Sequence, residues 1–442
     1  MILCAGCTEP AAPAPTLVLA PAPTHALAPA PTPPPTPALP VESEIRRWQA
    51  RADEVAVRVS SPTGSGSGVI VSRDGLIVTA SHVVDVDDEQ AIVVTLADGT
   101  ALPATVAGRH PAHDLLLLHV PQPLPTCASP ASDVRTGAWT LCSGAVGVEH
   151  SETDASIGLV ISPENGSRWI DTSCTIGRGM SGGPALDVEG HLVGVAVSFT
   201  GTTSRLARLS GEASLLRDAA CDAGPFPAIT LPSAGPDRRT ALRAIATAEP
   251  PSASVVFVTF LTPRYGPSLR GVAGIVVAPG VVLTVTSHEL AWDELGAPRS
   301  PLSIEGDPTA HAVRGETKGE LALIHFDGLS ASPIAPVRSS FAVGTLVAAA
   351  TSHDLGIVSR VDATPGRVEP FLGLPASRCG RRSMYMRQAF PVATLPHAFV
   401  HDASAHRGEL LVDAAGVPLG IHVTAQGGIG FAVPLADALA SF

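Results

Sequence analysis

Three side chains that together could perform nucleophilic catalysis occur in the first half of the 442-residue chain, in the order His82, Asp114, Ser181. A serine hydroxyl attacks a carbonyl only when an imidazole takes its proton, and a carboxylate must hold that imidazole in the right tautomer. Alone, His82 would be interpreted as a structural residue and Asp114 as a turn residue. Together the three predict a triad in which Ser181 attacks, His82 is the general base and Asp114 orients the imidazole.

Ser181 lies in a glycine-dense loop, Gly177–Pro184, which reads Gly-Arg-Gly-Met-Ser-Gly-Gly-Pro. Glycine adopts positive φ at no steric cost, so such a loop can turn successive N–H groups toward one point. The amides of Gly179 and Ser181 are the expected oxyanion-hole donors, each worth about 2.7–4 kcal/mol of transition-state stabilisation.

The same loop also fits a second motif, the Gly-x-Ser-x-Gly nucleophile elbow of α/β-hydrolases. That elbow requires a helix directly after the serine, and Gly182, Gly183 and Pro184 oppose one. The triad partners of an elbow serine also follow it, whereas the best candidates here precede it. The hydrolase interpretation is therefore rejected.

Short strands must position these residues. Alternating or apolar segments at Val55–Ser60, Gly64–Val71 and Leu76–Val84 follow a short amphipathic helix that starts near Ile45, and Arg73–Gly75 makes a hairpin turn. Such strands recur at short intervals with Gly, Pro and Asp between them, which is typical of an all-β barrel or sandwich.

At this point the chain resembles a known family. Residues 55–198 are similar to the protease domain of the HtrA/Deg family of chymotrypsin-like serine peptidases, on the stretches Gly66–Val71, Asp74–His82, Asp114–Leu118 and Gly179–Pro184. The resemblance implies a double six-stranded β-barrel with the triad between the barrels. It also implies a serine endopeptidase that acts on polypeptide substrates through an acyl-enzyme, with no metal and no cofactor.

Two departures from the trypsin-type pattern bear on specificity and activation. Thr175, six residues before Ser181, replaces the acid of enzymes that cut after Lys or Arg, so a small or aliphatic P1 residue is expected. Thr175 and Ser198 are the predicted substrate-binding residues. Met180 replaces the Asp that pairs with a new N-terminus in zymogen-activated relatives, so activation by N-terminal cleavage is not expected.

The second half of the chain repeats the first. Val255–Phe260 parallels Val55–Ser60, and Gly274–His288 parallels residues 68–82 with the same separation from its histidine to the following acid, Glu320. Equal spacing of this kind indicates an internal duplication.

The copy lacks the nucleophile. When Leu411–Gly420 is set against residues 185–194, Arg407 falls where Ser181 stands and Glu409 where Gly183 stands. Arginine cannot attack a carbonyl, so the copy is predicted to be a pseudo-protease domain that packs against the first domain or binds peptides. In this interpretation His288 and Glu320 are inherited residues without a catalytic role.

The predicted fold class is all-β, with two chymotrypsin-like double β-barrel domains in tandem after a disordered Ala/Pro-rich tail. The boundaries are 1–41 for a signal end and spacer, 42–220 for the peptidase domain, 221–252 for a linker, and 253–442 for the pseudo-protease domain. Proline at the density of the tail blocks helix and sheet and favours a semi-rigid spacer.

The first seven residues resemble the end of a bacterial lipoprotein signal, with Ala5 and Gly6 before Cys7. This pattern predicts a lipid anchor at Cys7 and a location in the bacterial cell envelope, periplasmic or on the surface. The alternative is an incidental cysteine on a tail. An oligomer is left open, since HtrA relatives are often trimeric.

Composition excludes several classes. The net charge of −12 without a Lys/Arg cluster argues against nucleic acid. Mean hydropathy is high, at +0.29, but Gly274, Pro279 and Gly280 interrupt the most apolar stretch, so no transmembrane helix is predicted. The seven cysteines show no zinc-site spacing. They fit either one or two disulfides, with Cys174–Cys221 as the candidate bridge, or a set of buried thiols.

The competing function is a non-catalytic peptide-binding or scaffold protein in which both copies are degenerate. The complete set of triad types and the Gly-x-Ser-Gly-Gly-Pro loop favour an active endopeptidase, engaged in quality control of envelope proteins.

Overall fold

The structure is a computed structural model that describes the chain in stretches separated by gaps. The described residues are 39–62, 64–85, 91–145, 153–162, 168–199, 203–209, 221, 226–231, 237–243, 252–262, 268–286, 290–334, 337, 340–363, 398–426 and 428–442. Cys7, the tail before residue 39, and His288 lie outside these stretches. Among the helices of the described stretches, none combines the length and the apolar character that crossing a membrane requires.

The described chain contains four closed β-barrels of six strands each. Counted from the first strand of each barrel, the strands pair in the order 1-2-3-6-5-4 and back to 1 in all four. This connectivity confirms the predicted all-β fold of chymotrypsin-like double barrels. We refer to residues 40–209 as the first unit and to residues 252–442 as the second unit.

The first unit starts with one helix and then forms two barrels. Its elements are α1 (Pro40–Val55); β1 (Ala56–Ser60), β2 (Ser65–Ile70), β3 (Leu76–Ala80), β4 (Ile92–Thr95), β5 (Ala101–His110) and β6 (Leu115–His119) in the first barrel; and β7 (Trp139–Ala145), β8 (Thr153–Ser162), β9 (Trp169–Thr172), β10 (Pro184–Leu186), β11 (Leu192–Phe199) and β12 (Ser204–Ala207) in the second.

A short helix, α2 (Arg238–Arg243), precedes the second unit, and another helix ends it. The elements of the second unit are β13 (Val255–Thr262), β14 (Ser268–Ala278), β15 (Val281–Val285), β16 (Leu302–Ile304), β17 (Asp307–Lys318) and β18 (Leu321–Asp327) in its first barrel; and β19 (Leu346–Ala349), β20 (Leu355–Ala363), β21 (Ala398–His401), β22 (Leu410–Asp413), β23 (Pro418–Gln426), β24 (Ile429–Pro434) and then α3 (Leu435–Ala440) in its second.

Strands β3 and β6 are hydrogen-bonded neighbours in the first barrel. The four leucines of Leu115–Leu118 are all buried, as an unbroken apolar run predicts for a strand covered on both faces. β3 pairs with β6 in antiparallel register, with Ala80 opposite Leu115. The segments that follow β3 and precede β6 therefore meet at the same end of the barrel.

Helix α1 packs against both units. Ile45 and Trp48 are fully buried in the apolar core. On its other side, the Gln49 side-chain amide donates to the carbonyl of Ser359 at 2.6 Å, and Arg46 Nε donates to the carbonyl of Val343 at 3.0 Å. The helix thus joins the first unit to the second barrel of the second unit.

One buried carboxylate also joins the two units. Asp402 Oδ2 accepts the N–H of Ile157 in β8 at 3.1 Å, and its Oδ1 accepts the N–H of Ile357 in β20 at 2.7 Å. Arg238 of α2 forms an ion pair with Oδ2 at 2.6 Å. Burial raises the pKa of Asp402, and the hydrogen bonds and Arg238 oppose that rise.

The disulfide differs from the expectation. Cys221 pairs with Cys127, whose Cα atom lies 5.7 Å away, so the predicted Cys174–Cys221 bridge is wrong. Cys174 faces the interior of the second barrel, where its Sγ lies 3.4 Å from the carbonyl of Thr140, and it is a free thiol like Cys142. Its position in the chain could not reveal this inward orientation.

Candidate active site

His82 and Asp114 meet because β3 and β6 are neighbours. His82 lies in a 3₁₀ turn directly after β3, and Asp114 ends a second 3₁₀ turn directly before β6. Asp114 has a left-handed backbone conformation, with φ of 50°. Its carbonyl accepts the N–H of Ser81 at 2.8 Å, which fastens the two turns together.

Both carboxylate oxygens of Asp114 bind His82. Oδ2 lies 2.6 Å from Nδ1 of the imidazole, and Oδ1 accepts the backbone N–H of His82 at 3.0 Å. This arrangement favours the tautomer with the proton on Nδ1, which leaves Nε2 as a proton acceptor. The imidazole is 46% exposed, so a substrate can reach it.

The loop around Ser181 consists of two consecutive turns. The N–H of Met180 donates to the carbonyl of Gly177 at 3.2 Å, and the N–H of Gly183 donates to the carbonyl of Met180 at 2.9 Å. Gly179 and Gly182 have φ of 90° and 89°, a region that favours glycine. We call residues 177–183 the nucleophile loop.

Ser67 of β2 attaches the nucleophile loop to the first barrel. Its N–H donates to the carbonyl of Ser181 at 2.7 Å, and its hydroxyl donates to the carbonyl of Gly179 at 2.6 Å. The same hydroxyl accepts the N–H of Ala145 at 2.7 Å. Sequence reasoning missed this role, although a serine between two glycines of a predicted strand was a signal, and the structure buries it fully.

Close glycine contacts bring the nucleophile loop to the histidine segment. A β-carbon at Gly66 would lie 2.7 Å from the Val83 side chain and 2.8 Å from the Ser181 carbonyl. One at Gly182 would collide with the carbonyl of Ser67 and lie 3.0 Å from the N atom of Ala80. The loop therefore lies against the end of β3, beside the turn that carries His82.

The structure joins the parts of the predicted triad to different degrees. His82 and Asp114 are hydrogen-bonded, whereas the Ser181 hydroxyl makes no hydrogen bond to any described residue. Within the described chain, the amides of Gly179 and Ser181 likewise have no backbone acceptor. Unoccupied amides on a positive-φ turn can receive an oxyanion, and hydrogen bonds at unliganded catalytic sites are often long.

The two predicted substrate-binding residues lie in different settings. Thr175 is half-buried, and its N–H donates to the Ser156 hydroxyl at 2.8 Å. Ser198 is exposed near the end of β11, opposite Arg205 of β12. Sequence reasoning missed Gly428 of the second unit, where a β-carbon would collide with the Thr175 methyl group and lie 3.3 Å from the Phe199 ring.

The loop of the second unit that corresponds to the nucleophile loop has the same backbone frame. The carbonyl of Arg407 accepts the N–H of Ala273 at 3.2 Å, just as Ser181 accepts that of Ser67. Gly408 has φ of 80°, and a β-carbon there would collide with the carbonyl of Ala273. Arg407 therefore occupies the place of Ser181 in the second unit, and its Nε donates to the carbonyl of Val423 at 3.1 Å.

A buried carboxylate replaces Gly183 in that loop. The side chain of Glu409 is inaccessible to solvent, and its Oε1 accepts the N–H groups of Thr351 and Ser352 at 2.6 and 2.8 Å. Its Oε2 accepts the N–H of His406 at 2.6 Å. The second turn of the loop is retained, because the N–H of Glu409 donates to the carbonyl of His406 at 3.0 Å, whereas the N–H of His406 donates to the Glu409 carboxylate in place of the first turn.

Glu320 keeps the backbone contact that Asp114 makes in the first unit. Its carbonyl accepts the N–H of Thr286 at 2.8 Å, as the carbonyl of Asp114 accepts that of Ser81. The predicted residue-by-residue match of 274–288 with 68–82, however, is wrong by one residue. Gly68 pairs with Thr79, whereas Gly274 pairs with Thr284 across a hairpin that is one residue shorter. His288 itself lies outside the described residues.

One surface group in the described chain has the residue types of a cation site. Asp187, Glu189 and His191 lie in the turn between β10 and β11, with ligand atoms within 4.8 Å of one another. Asp187 Oδ1 already accepts the N–H groups of the other two residues, at 2.9 and 2.8 Å. These bonds explain the cluster as a turn stabilised by its first residue.

Comparison with known proteins agrees with this geometry. The family model described as "trypsin-like peptidase domain" matches residues 66–195. The first unit carries a trypsin-like peptidase domain.

Curated relatives match the same region of the chain. A probable periplasmic serine endoprotease, DegP-like, of Pseudomonas fulva is 37% identical over 153 residues, which cover 33% of this chain and 32% of the relative. A protein of Brucella suis with the same description is 33% identical over 142 residues, covering 30% and 27%. The chain thus spans about a third of the length of the relatives that it matches.

Among solved structures, the chain is similar to the serine endoprotease from Yersinia pestis. The two are 22% identical with a TM-score of 0.36, and the match covers 40% of this chain and 66% of that one.

Proposed function

We propose that the first unit is a serine endopeptidase that cleaves polypeptides through an acyl-enzyme on Ser181. The observation that best supports this proposal is the double hydrogen bond from His82 to Asp114, with Nδ1 and Oδ2 2.6 Å apart. A structural histidine needs one partner, whereas a general base needs a fixed tautomer, a fixed ring plane and an accessible Nε2.

The reaction follows from this arrangement. Nε2 of His82 takes the hydroxyl proton of Ser181 as its oxygen attacks the substrate carbonyl, and the resulting imidazolium is stabilised by Asp114. The oxyanion is received by the amides of Gly179 and Ser181. His82 then protonates the leaving amine. In the second half of the reaction His82 takes a proton from water as the water attacks the acyl-enzyme, and it returns a proton to the Ser181 oxygen as the carboxylic acid leaves.

The substrate preference follows from an uncharged subsite. Thr175 carries no acid, so no carboxylate is placed there to pair with a basic side chain at P1. The nearby ring of Phe199 adds apolar surface. We expect cleavage after small or aliphatic residues, and slower cleavage of matched substrates with Arg or Lys at P1.

We infer that the second unit is catalytically inactive. Arg407 lies at the nucleophile position, and its guanidinium donates to the carbonyl groups of Val423 and Thr286. The carboxylate of Glu409 then fills the position of the glycine that would follow. Arginine supplies no nucleophile, and the Glu409 carboxylate takes the N–H of His406, so the first turn of the nucleophile loop has no counterpart here.

The cellular setting is proposed from the relatives. The relatives are described as periplasmic, which supports a role in quality control of proteins in the bacterial cell envelope. The lipid anchor at Cys7 remains a prediction from the signal-like start of the chain. Mass spectrometry of the mature N-terminus tests it directly.

A second candidate function is a non-catalytic peptide-binding protein. It is favoured by the Ser181 hydroxyl, which makes no hydrogen bond to a described residue. Both candidates predict peptide binding, so only the reactivity of Ser181 distinguishes them.

A fluorophosphonate probe provides that test, since it labels only a serine that a base activates. We expect labelling of the wild-type protein, loss of labelling in Ser181→Ala, and strong reduction in His82→Ala. The matched control is Ser162→Ala, a half-buried serine at the end of β8 in the same barrel that should leave labelling intact. Absence of labelling in the folded wild-type protein would favour the scaffold.

A further inference from the structure

The second unit contacts the nucleophile loop of the first unit directly. Ile429, the first residue of β24, is 2% exposed. It belongs to a buried cluster that is otherwise built almost wholly from the second barrel of the first unit, including Cys174, Ile176 and Met180. A side chain of the inactive unit is thus part of the core beneath the catalytic loop.

The contact with the loop is close. A β-carbon at Gly177 would lie 2.8 Å from Cγ1 of Ile429 and 3.6 Å from Sδ of Met180. The N–H of Gly177 also points at Sδ of Met180, 3.1 Å away. Gly177, at which the first turn begins, therefore lies between these two apolar side chains.

Met180 is enclosed from the opposite side as well. A β-carbon at Gly144 of β7 would lie 2.6 Å from the Cα atom of Met180. Met180 is fully buried and carries no charge, so no ion pair can hold it. Its position depends on packing against β7 on one side and against the cluster that contains Ile429 on the other.

The residue before Ile429 adds a second contact. Gly428 has φ of 92°, and a β-carbon there would meet the side chains of Thr175 and Phe199 of the first unit. The contact with the first unit therefore extends from the nucleophile loop to the residue predicted to set specificity.

This packing matters because the loop would otherwise be poorly constrained. Glycines have the largest conformational freedom to lose on ordering, and four of the eight residues Gly177–Pro184 are glycines. The two amides must point at the site of the oxyanion before the reaction starts. An apolar support under Met180 and Gly177 restricts the turn that aims them.

We propose that Ile429 of the second unit is a positioning residue for the nucleophile loop, which makes the inactive unit a built-in support for the oxyanion hole of the active one. The catalytic consequence rests on the proposed peptidase function. The structural claim, that Ile429 orders residues 177–183, does not.

The structural claim is tested by hydrogen–deuterium exchange of residues 177–183 in a Ser181→Ala background, which removes self-cleavage. We expect Ile429→Ala to raise amide exchange in this loop, because local opening becomes easier when packing is lost. The matched control is Ile324→Ala, an equally buried isoleucine in the first barrel of the second unit, which should leave this loop unchanged.

The catalytic consequence is tested with an otherwise wild-type enzyme and a peptide ester substrate. Since one oxyanion donor is worth about 10²–10³ in kcat, we expect Ile429→Ala to lower kcat by roughly tenfold or more with little change in KM. Ile429→Val, which retains the branched Cβ, should restore most of the activity. A purely structural role would lower the folded fraction and leave kcat per labelled site unchanged.

The outcomes separate the two proposals. If exchange of residues 177–183 is the same in Ile429→Ala and Ile324→Ala, the support role is overturned. If exchange rises only in Ile429→Ala but wild-type Ser181 neither reacts with the probe nor hydrolyses the ester, the peptidase proposal fails and the support role stands. If exchange rises while kcat per labelled site is unchanged, the link to the oxyanion hole is overturned.

Discussion

At the scale of single residues, the chemistry depends on few polar atoms held by backbone geometry. Asp114 adopts a left-handed conformation that non-glycine residues rarely take, and it turns both carboxylate oxygens to His82. Ser67 has no chemistry of its own, yet it binds the carbonyl groups on both sides of Met180. The most informative single substitution is therefore at Ser67.

We predict that Ser67→Ala lowers both activity and stability. The change leaves the carbonyl of Gly179 and the N–H of Ala145 without their buried partner, which costs about 1–3 kcal/mol. Because the amide of Gly179 is a proposed oxyanion donor, kcat should fall more than KM changes. Urea unfolding and steady-state kinetics measure the two effects.

The control for this prediction is Ser72→Ala, since Ser72 is a buried serine whose hydroxyl accepts the N–H of Asp74 in a turn. It should cost stability without lowering kcat. Equal kinetic losses in the two variants would contradict the role assigned to Ser67.

At the scale of elements, the four barrels share one strand order but differ in what their strands bury. In the last barrel, His401 of β21 and His422 of β23 are almost fully buried, with Nε2 and Nδ1 3.0 Å apart. At the His422 position the first unit has Ala196, which makes the same pair of backbone hydrogen bonds to its own loop. The second unit thus carries two titratable groups inside a barrel wall.

These histidines predict that acid destabilises the protein. Burial lowers the pKa of His422 to about 4 and lowers that of His401 as well. The unfolded chain binds a proton near its ordinary pKa of 6.5, so stability is lost as pH falls from about 6.5 to about 4. The loss from His422 is on the order of 3 kcal/mol.

The measurement compares wild-type protein with His422→Gln by urea unfolding across this pH range. The variant should show a flatter decline in stability, because glutamine does not titrate. The control is His311→Gln, since His311 is exposed and should leave the decline unchanged. Parallel curves for wild type and His422→Gln would refute the assignment.

Sequence reasoning recovered much of the fold and the candidate site, for physical reasons. Short motifs report local requirements, so the glycines around Ser181 and the acid before Leu115–Leu118 were visible in the chain. The duplication was visible because repeated strands need repeated patterns. Arg407 was matched to Ser181 by counting back from a paired turn, and the backbone hydrogen bonds agree.

What the chain order could not show depends on which faces meet in three dimensions. The partner of Cys221 depends on which cysteine of the first unit lies next to it in space, and spacing along the chain does not encode that. The hairpin between Gly274 and Thr284 is one residue shorter than its counterpart in the first unit. The separation from Gly274 to Glu320 nevertheless equals its counterpart, so equal spacing hides the difference. The contact of Ile429 with the nucleophile loop joins residues about 250 positions apart along the chain.

At the scale of the whole molecule, the two units share an interface that is partly apolar and partly ionic. Helix α1, strands β8 and β20, and helix α2 all contribute to it. Asp402 lies where three of these elements meet. Arg238, its ion-pair partner, is only 11% exposed, so neither charge can be hydrated if the other is removed.

We predict that Asp402→Asn destabilises the protein by about 3–5 kcal/mol, because it leaves a buried arginine without its counter-charge. Thermal unfolding of the whole chain measures the loss. Asp354→Asn is the matched control, because Asp354 accepts the N–H of Ser404 in the same barrel but lies nearer the surface. A loss no larger than that of the control would show that the ion pair does not hold the units together.

Gly182 and Gly408 distinguish two requirements that the sequence motif combines, a steric requirement of the fold and a chemical requirement of catalysis. Each is pressed against a carbonyl of the neighbouring strand, yet only one of them follows a serine. The second unit, which we propose to be inactive, still has a glycine and no side chain at this position. That glycine is a signature of barrel architecture, and the hydroxyl before it is a signature of chemistry. A sequence search that gives the glycine the same weight as the serine before it will therefore count copies without a nucleophile as active enzymes.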